Sequence, residues 1–289
     1  MIDFWRQQME IVVRVPGSCG ELVQGFAGGE PFLGTCPIDR YTTVQVNDRF
    51  SELEGLGEKS QQALRLALAR LGRSSFPYGM RLTSELPRGK GMASSSADIA
   101  AVVVAVMEAL GKSWTPELIM DVAVQIEPTD GVFWPGIVLM NQVSGKVWAC
   151  FSQVPALCGA IFDVGGMVDT CAFHQQEKAA VDMSGMCNAF RQAMESGQAE
   201  RIAQIATESA LANQKILYKE EFAQIWQLGQ LAGAWGVNVA HSGTVLGLWW
   251  SADKDAAELH ACAERIARTA GVDYLGLVSL CSGGVEVRR

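Results

Sequence analysis

The stretch from Gly79 to Leu110 constrains the fold of this 289-residue chain more than any other. Gly79 to Glu85 alternates Met80 and Leu82 with Arg81, Thr83 and Glu85, the pattern of a half-buried strand. A loop of small residues follows, Pro87 to Ser94, and then the most apolar helix of the chain, Ser95 to Leu110, stopped by Gly111. A strand that turns through glycines and serines into a long buried helix leaves that helix's first amides, and the positive end of its dipole, aimed into the loop. An anion would be welcome there. Ser95 and Asp98 also have capping-box spacing, so the same residues fit an ordinary helix start. Two better-known phosphate loops fail. Gly111-Lys112-Ser113 has Val106 where a Walker A loop needs its first glycine. Gly89-x-Gly91-x-x-Ser94 lacks the acidic residue that a dinucleotide fingerprint places about 20 positions on.

Composition narrows the class of protein. Hydrophobic residues make up 49% and charged ones 19%, enough for a large core and too apolar for a disordered chain. The net charge of −8 offers no basic excess for a phosphate backbone, so no nucleic-acid partner is expected. The longest apolar run, Ile99 to Met107, is half of what a membrane span needs, and no membrane partner is expected either. The N-terminal residues carry Asp3 and no apolar stretch, unlike a secretory signal, which leaves a cytoplasmic location as the expectation. The eight cysteines (19, 36, 150, 158, 171, 187, 262 and 281) show no zinc-knuckle or redox-pair spacing and read as thiols in a reducing compartment. The three histidines, His174, His241 and His260, form no HExxH; neighbourhood alone places His241 near a site.

Along the chain, Glu10 to Val15 reads as a strand ended by Pro16-Gly17, and Thr42 to Val46 as a second. Helices are expected over Lys59 to Leu71 and from Thr115-Pro116 to Glu127, where Pro128 ends the second. Ile137 to Met140 and Lys146 to Phe151 form a hairpin around Ser144-Gly145. Beyond Pro155 come a strand over 160–164 and helical periodicity at 177–196, 199–214 and 220–234. Strands at 237–241 and 244–250, a helix over 253–269 and a strand over 272–280 complete it. The expected class is α+β in two domains, 1–154 and 155–289, with a cleft between them. Trp134, Trp148, Trp249 and Trp250 are expected in the core.

The stretch Leu86-Pro-Arg-Gly-Lys-Gly-Met-Ala-Ser-Ser-Ser-Ala97 resembles the central motif of the GHMP kinases, the superfamily of galactokinase, homoserine kinase and mevalonate kinase. Leu86, Pro87, Gly89, Gly91, Met92, Ser94, Ser95, Ser96 and Ala97 match, while Ala93 departs from the usual glycine or serine. Pro16-Gly-Ser-Cys-Gly-Glu-Leu-Val-Gln-Gly25 stands where these kinases have a first motif lining the substrate pocket. Ala240-His-Ser-Gly-Thr-Val245 stands where a third, glycine-rich motif lies against the phosphate loop. The resemblance implies a two-domain GHMP-kinase architecture, a ferredoxin-like second domain, and ATP bound by Pro87, Gly89 to Ala97 (Lys90 included) and Ser242, Gly243 and Thr244. It implies that Ser95 and Glu127 hold Mg2+ and that Asp130 orients or deprotonates the acceptor hydroxyl. The family usually has more residues between those two carboxylates than Pro128-Thr129, and Glu127 to Gly131 also fits a plain helix end and turn.

Within the superfamily, the first motif and the loop are most similar to the L-threonine kinases of cobalamin biosynthesis, which implies L-threonine as the small-molecule partner. Ser18, Glu21 and Gln24 of the first motif would then line its pocket. Glu21 or Asp39 would take its ammonium, and Arg40 or a backbone nest its carboxylate. The alternatives are another GHMP kinase, for homoserine or an isoprenoid intermediate, and a non-catalytic sensor of the same fold. Ser95, Glu127 and Asp130 together favour catalysis, since a sensor is free to lose them.

Overall fold

The structure, a computed structural model, describes residues 10–166 and 182–289. Cys171, His174, the stretch 177–181 expected to open a helix and the residues before Glu10 lie outside the described residues. The class is α+β, as the sequence suggests.

Two long strands, β1 (Glu10–Ala27) and β2 (Glu30–Asn47), run antiparallel and form the spine of the sheet. Pro16-Gly17 does not end β1. Its register against β2 shifts after Pro16, after Ser18 and again after Glu21, so the extra residues are absorbed as bulges and pairing resumes beyond them. Such bulges re-aim side chains, and here the re-aimed segment holds Ser18, Gly20 and Glu21. Short β3 (Leu53–Glu54) and β4 (Gly79–Ser84) extend the sheet beyond β2. The helices α1 (Glu58–Arg70) and α2 (Ser94–Ala109) cover this half. Nearly every α2 side chain from Ser94 to Met107 is buried, which explains why it is apolar on all sides rather than on one stripe.

The helix α3 (Pro116–Ala123) starts as its sequence indicates: Thr115 Oγ1 accepts from Leu118 N at 3.3 Å and Pro116 sits at the first helical position. It ends four residues before Glu127. The backbone tightens there, with Ile126 N and Glu127 N both donating to Ala123 O, and this turn swings Glu127 inward. The hairpin β5 (Ile137–Met140) and β6 (Val147–Phe151) follows.

Residues after 155 supply β7 (Leu157–Asp163), α4 (Ser184–Glu195), α5 (Ala199–Asn213) and α6 (Phe222–Leu231). Then come β8 (Gly236–Val239), β9 (Val245–Ser251), α7 (Ala256–Ala270) and β10 (Asp273–Ser279). The order across the sheet is β10-β7-β9-β8-β1-β2-β4-β3, antiparallel except for β3 beside β4. A second core, built around Phe162, Ile225, Leu248 and Trp250, lies wholly in this half, whereas the main core draws on both. Trp249 and Trp250 are fully buried; Trp134 and Trp148 are partly so. The final strand β11 (Glu286–Arg288) returns to pair with β1, so the chain's last residues rest on its first half. One residue pair, Glu21 with Val239, joins β1 to β8. A cleft lined by Glu21 opens at that junction.

Candidate active site

Three segments far apart in sequence are stitched together at the loop before α2. Ser18 N donates to Met92 O at 3.0 Å and Gly20 N to Gly91 O at 3.1 Å. From the other side, Thr244 N and Val245 N donate to Lys90 O at 3.0 and 3.1 Å. Three consecutive loop carbonyls are thus committed to neighbours. In a trans peptide the N–H points opposite to its C=O, so the amides of Gly91, Met92 and Ala93 are turned away from those neighbours. All three residues line a cleft of about 580 Å³. The turn at Gly243 comes so close that a Cβ there would run into Lys90 O and the Gly91 backbone; one on Gly91 would meet Ala240.

Ala93 is the N-cap of α2 and adopts φ 54°, ψ 25°, the single positive φ of any non-glycine among the described residues. That conformation costs an alanine on the order of 1–2 kcal/mol. The expected capping box does not form: no side chain caps α2. Asp98 instead accepts from Thr42 Oγ1 at 2.8 Å and pairs with Arg88 at 3.7 Å, tying the helix to β2 and the loop. The first amides of α2 are therefore left to the cleft, and strain at Ala93 aims them.

The cleft is also acidic. Glu21, Glu127 and Asp130 all line the cleft with Ser94, Ser95, Ser96, Gly89, Gln24 and Ser242. The short spacing between Glu127 and Asp130 still brings both carboxylates in. Glu127 is buried and ion-paired with Lys59 of α1, and its Oε1 has no hydrogen-bond partner. Ser96 Oγ accepts from Asp130 N and Thr129 Oγ1, both at 3.2 Å, and donates to Asp130 Oδ2 at 3.4 Å. The third serine of the loop thus sets the position of the aspartate. Burial, then the charges of Glu21 and Glu127, push Asp130 up to about 8.

Of the other expected site residues, Ser18 lies buried behind the cleft and Pro87 and Ala97 belong to the loop and helix walls without lining it. Lys90 bonds Asp163 Oδ2 at 2.7 Å and Gly166 O at 2.8 Å, and Thr244 Oγ1 donates to Asp163 Oδ1 at 2.6 Å. These two residues clamp the loop before α2 to the end of β7; they do not line the cleft. Asp39 and Arg40 are corrections to the sequence reading. Asp39 accepts from Ser279 N at 2.8 Å and Arg40 donates to Leu275 O at 2.9 Å, so both fasten β2 to β10 and neither lines the cleft.

Several site residues had no local signal. Lys59 looks like any helix lysine, and Asp163 like any strand end. Gln142, buried on the cleft wall with Oε1 unpartnered, follows the hairpin strand β5 without a motif. Only His241, inside the third motif, was visible. Its ring Nδ1 lies 2.9 Å from Glu21 Oε2.

Among the described residues no cluster of three or more His, Cys, Asp and Glu stands ready to enclose a metal. Magnesium does not need one, since it keeps several waters and takes one or two protein oxygens. Glu127, whose Oε1 is unpartnered and which lines the same cleft as Ser95, fits that demand.

Residues 59–133 match the family model of the GHMP kinases N terminal domain. The chain is 28% identical to an L-threonine kinase of Salmonella typhimurium, over 96% of this chain and 95% of that one. It is 29% identical to an L-threonine kinase of Citrobacter freundii, over 82% and 85%. Its fold resembles that of a homoserine kinase from Cytophaga hutchinsonii, with a TM-score of 0.73 at 16% identity over the full length of both chains. The loop, the first and third motifs stitched to it, and relatives along nearly its whole length agree: residues 59–133 match the GHMP kinase N-terminal domain, and the chain as a whole is similar to kinases.

Proposed function

We propose that the chain is an ATP- and Mg2+-dependent kinase that phosphorylates the side-chain hydroxyl of L-threonine. The observation that carries this reading is a single cleft lined by two kinds of group. Loop residues whose amides are turned away by three committed carbonyls share it with Glu21, Glu127 and Asp130. The similarity to two L-threonine kinases supports the choice of acceptor.

The amides of Gly91 to Ser95 and the start of α2 would receive the nucleotide phosphates. Ser95 Oγ and Glu127 are the groups suited to hold Mg2+, which would neutralise charge building on the transferred phosphoryl group. Asp130, with its raised proton affinity, is matched to take the hydroxyl proton late in the transfer, when that hydroxyl becomes acidic. In the transfer the threonine oxygen forms the new bond to the γ-phosphorus as the bond to the ADP oxygen breaks, and its proton passes to Asp130 as that bond forms. Glu21 is the carboxylate suited to the substrate ammonium. With Arg40 committed elsewhere, the amides of Gln24 and Gln142 are the neutral donors suited to the substrate carboxylate. All seven described cysteines are free thiols, which suits a cytoplasmic enzyme.

The test is ADP release with ATP, Mg2+ and a panel of L-threonine, L-serine, homoserine, mevalonate and galactose. L-threonine should give the highest kcat/KM. Turnover with homoserine and none with L-threonine would overturn the acceptor; no turnover with any hydroxyl compound would overturn the kinase.

A further inference from the structure

We infer that His241 is a positioning residue that aims the Glu21 carboxylate into the cleft, and that through it the site selects acceptors carrying an amino group beside the hydroxyl. The inference rests on the kinase reading above and deepens it on the acceptor side.

Glu21 is 6% exposed and His241 5%, so the pair is buried at the cleft wall. Glu21 Oε2 receives two donors from one residue, the backbone N and the ring Nδ1 of His241, each at 2.9 Å. Two donors on one oxygen fix the carboxylate's rotation and leave Oε1 as the oxygen His241 does not engage. The ring is itself held, with Nε2 lying 3.1 Å from Ser209 Oγ, which accepts from Gln24 N at 3.1 Å. If Nδ1 donates to the carboxylate, Nε2 of the neutral ring is an acceptor and the Ser209 hydroxyl donates to it. Donors then run in one direction, from the Gln24 backbone through Ser209 and His241 to Glu21. Lys219, also buried here, feels the Glu21 charge, but its ammonium is bonded to Ala240 O at 3.0 Å and not to the carboxylate.

A buried carboxylate to which no lysine or arginine is bonded favours a cation. Glu127 has Lys59 and the groups suited to a metal, and Asp130 has Ser96. Glu21 is the carboxylate on this cleft whose remaining oxygen has no such claimant. An acceptor bearing an ammonium answers it, one lacking the ammonium leaves it unmatched, and one bearing an anionic group there is repelled. The selectivity is thus for a hydroxyl-bearing amine, and His241 supplies the geometry that makes it sharp.

The experiment compares L-threonine with 3-hydroxybutyrate, the same hydroxy acid without its amine, in the wild-type protein and in His241→Ala and His241→Asn. Wild type should prefer L-threonine by about 10² or more in kcat/KM. His241→Ala should raise the KM for L-threonine by about ten- to hundredfold and leave the KM for ATP and kcat/KM for 3-hydroxybutyrate within about threefold. Asparagine can place an amide donor near the Nδ1 position, so His241→Asn should recover most of the preference. Equal losses on both acceptors, or a loss confined to ATP, overturn the inference. If His241→Ala does not fold, Ser209→Ala, which frees the ring, must shift the preference in the same direction by a smaller factor; no shift overturns it. If wild type neither turns over nor binds L-threonine in calorimetry, the acceptor reading itself has failed and this inference falls with it.

Discussion

The two walls of the cleft are made of different materials. The phosphate wall, from Gly89 to Ser96 with the Gly243 turn behind it, is built from backbone. Its positive character comes from amides and a helix start, and its side chains are small so that three segments can touch. The acceptor wall is built from buried side-chain charge. Glu21, Glu127 and Asp130 come from a bulged strand, a tightened turn and a loop pinned by Ser96. A backbone site is specified by local sequence, because glycine, serine and alanine at fixed offsets decide where the chain can bend. A charge site depends on which distant groups happen to face it. On the proposed reading, the first wall receives the nucleotide and the second sets the acceptor.

The sharpest way to break the comparison is Ser95→Ala, which removes a side chain from a wall said to work through backbone. If Ser95 Oγ holds the metal, kcat should fall about 10²–10³-fold, by analogy with losing one preorganised transition-state donor. The apparent magnesium affinity should weaken and the melting temperature stay close to wild type, because no side chain caps α2 in the first place. Normal turnover would leave the backbone as the whole of that wall.

Asp130→Asn tests the charge wall with a somewhat smaller effect, about 10² in kcat, since a loose transition state asks little of a base. Its stability consequence has a definite sign. Asp130 holds its proton more tightly when folded, up to about 8 against an ordinary 3.8. That contribution to stability is full below the unfolded value and is lost as pH rises through the folded one. Melting curves of the metal-free protein from pH 4 to 8 should therefore fall with pH in wild type more than in Asp130→Asn. Parallel curves would mean that the three carboxylates do not strain one another.

Ala93→Gly should have the smallest effect and sharpens the backbone side. Glycine relieves the left-handed strain but loses more entropy on folding, so the net gain is up to about 1 kcal/mol. Denaturant titration reads the gain, and turnover should hold if the amide directions survive. A loss of turnover with intact stability would show that the strain itself keeps the amides aimed.

Most of the fold was legible because periodicity reports burial directly. The alternation of 79–85, the apolar helix after it, the Thr115-Pro116 start and the hairpin at Ser144-Gly145 all appear where their residues put them. Pro16-Gly17 misled, since a proline reads as a stop until a partner strand absorbs it in a bulge. Glu127 was recognisable, but not the tightened turn that carries it inward.

By itself, then, the sequence determined the α+β class, the glycine- and serine-rich loop before α2 and the presence of Glu21, Glu127 and Asp130, since each rests on local spacing. Tertiary structure alone decided that Asp39 and Arg40 fasten strands together and that Asp163 clamps Lys90. It also decided that Lys59, Gln142 and His241 face the acceptor wall or its carboxylates. The physical reason is range. Bends and amide directions are set within a few residues, whereas a charge takes its meaning from whatever the fold brings within a few ångströms, here across 220 positions between Glu21 and His241 and 240 between Asp39 and Ser279.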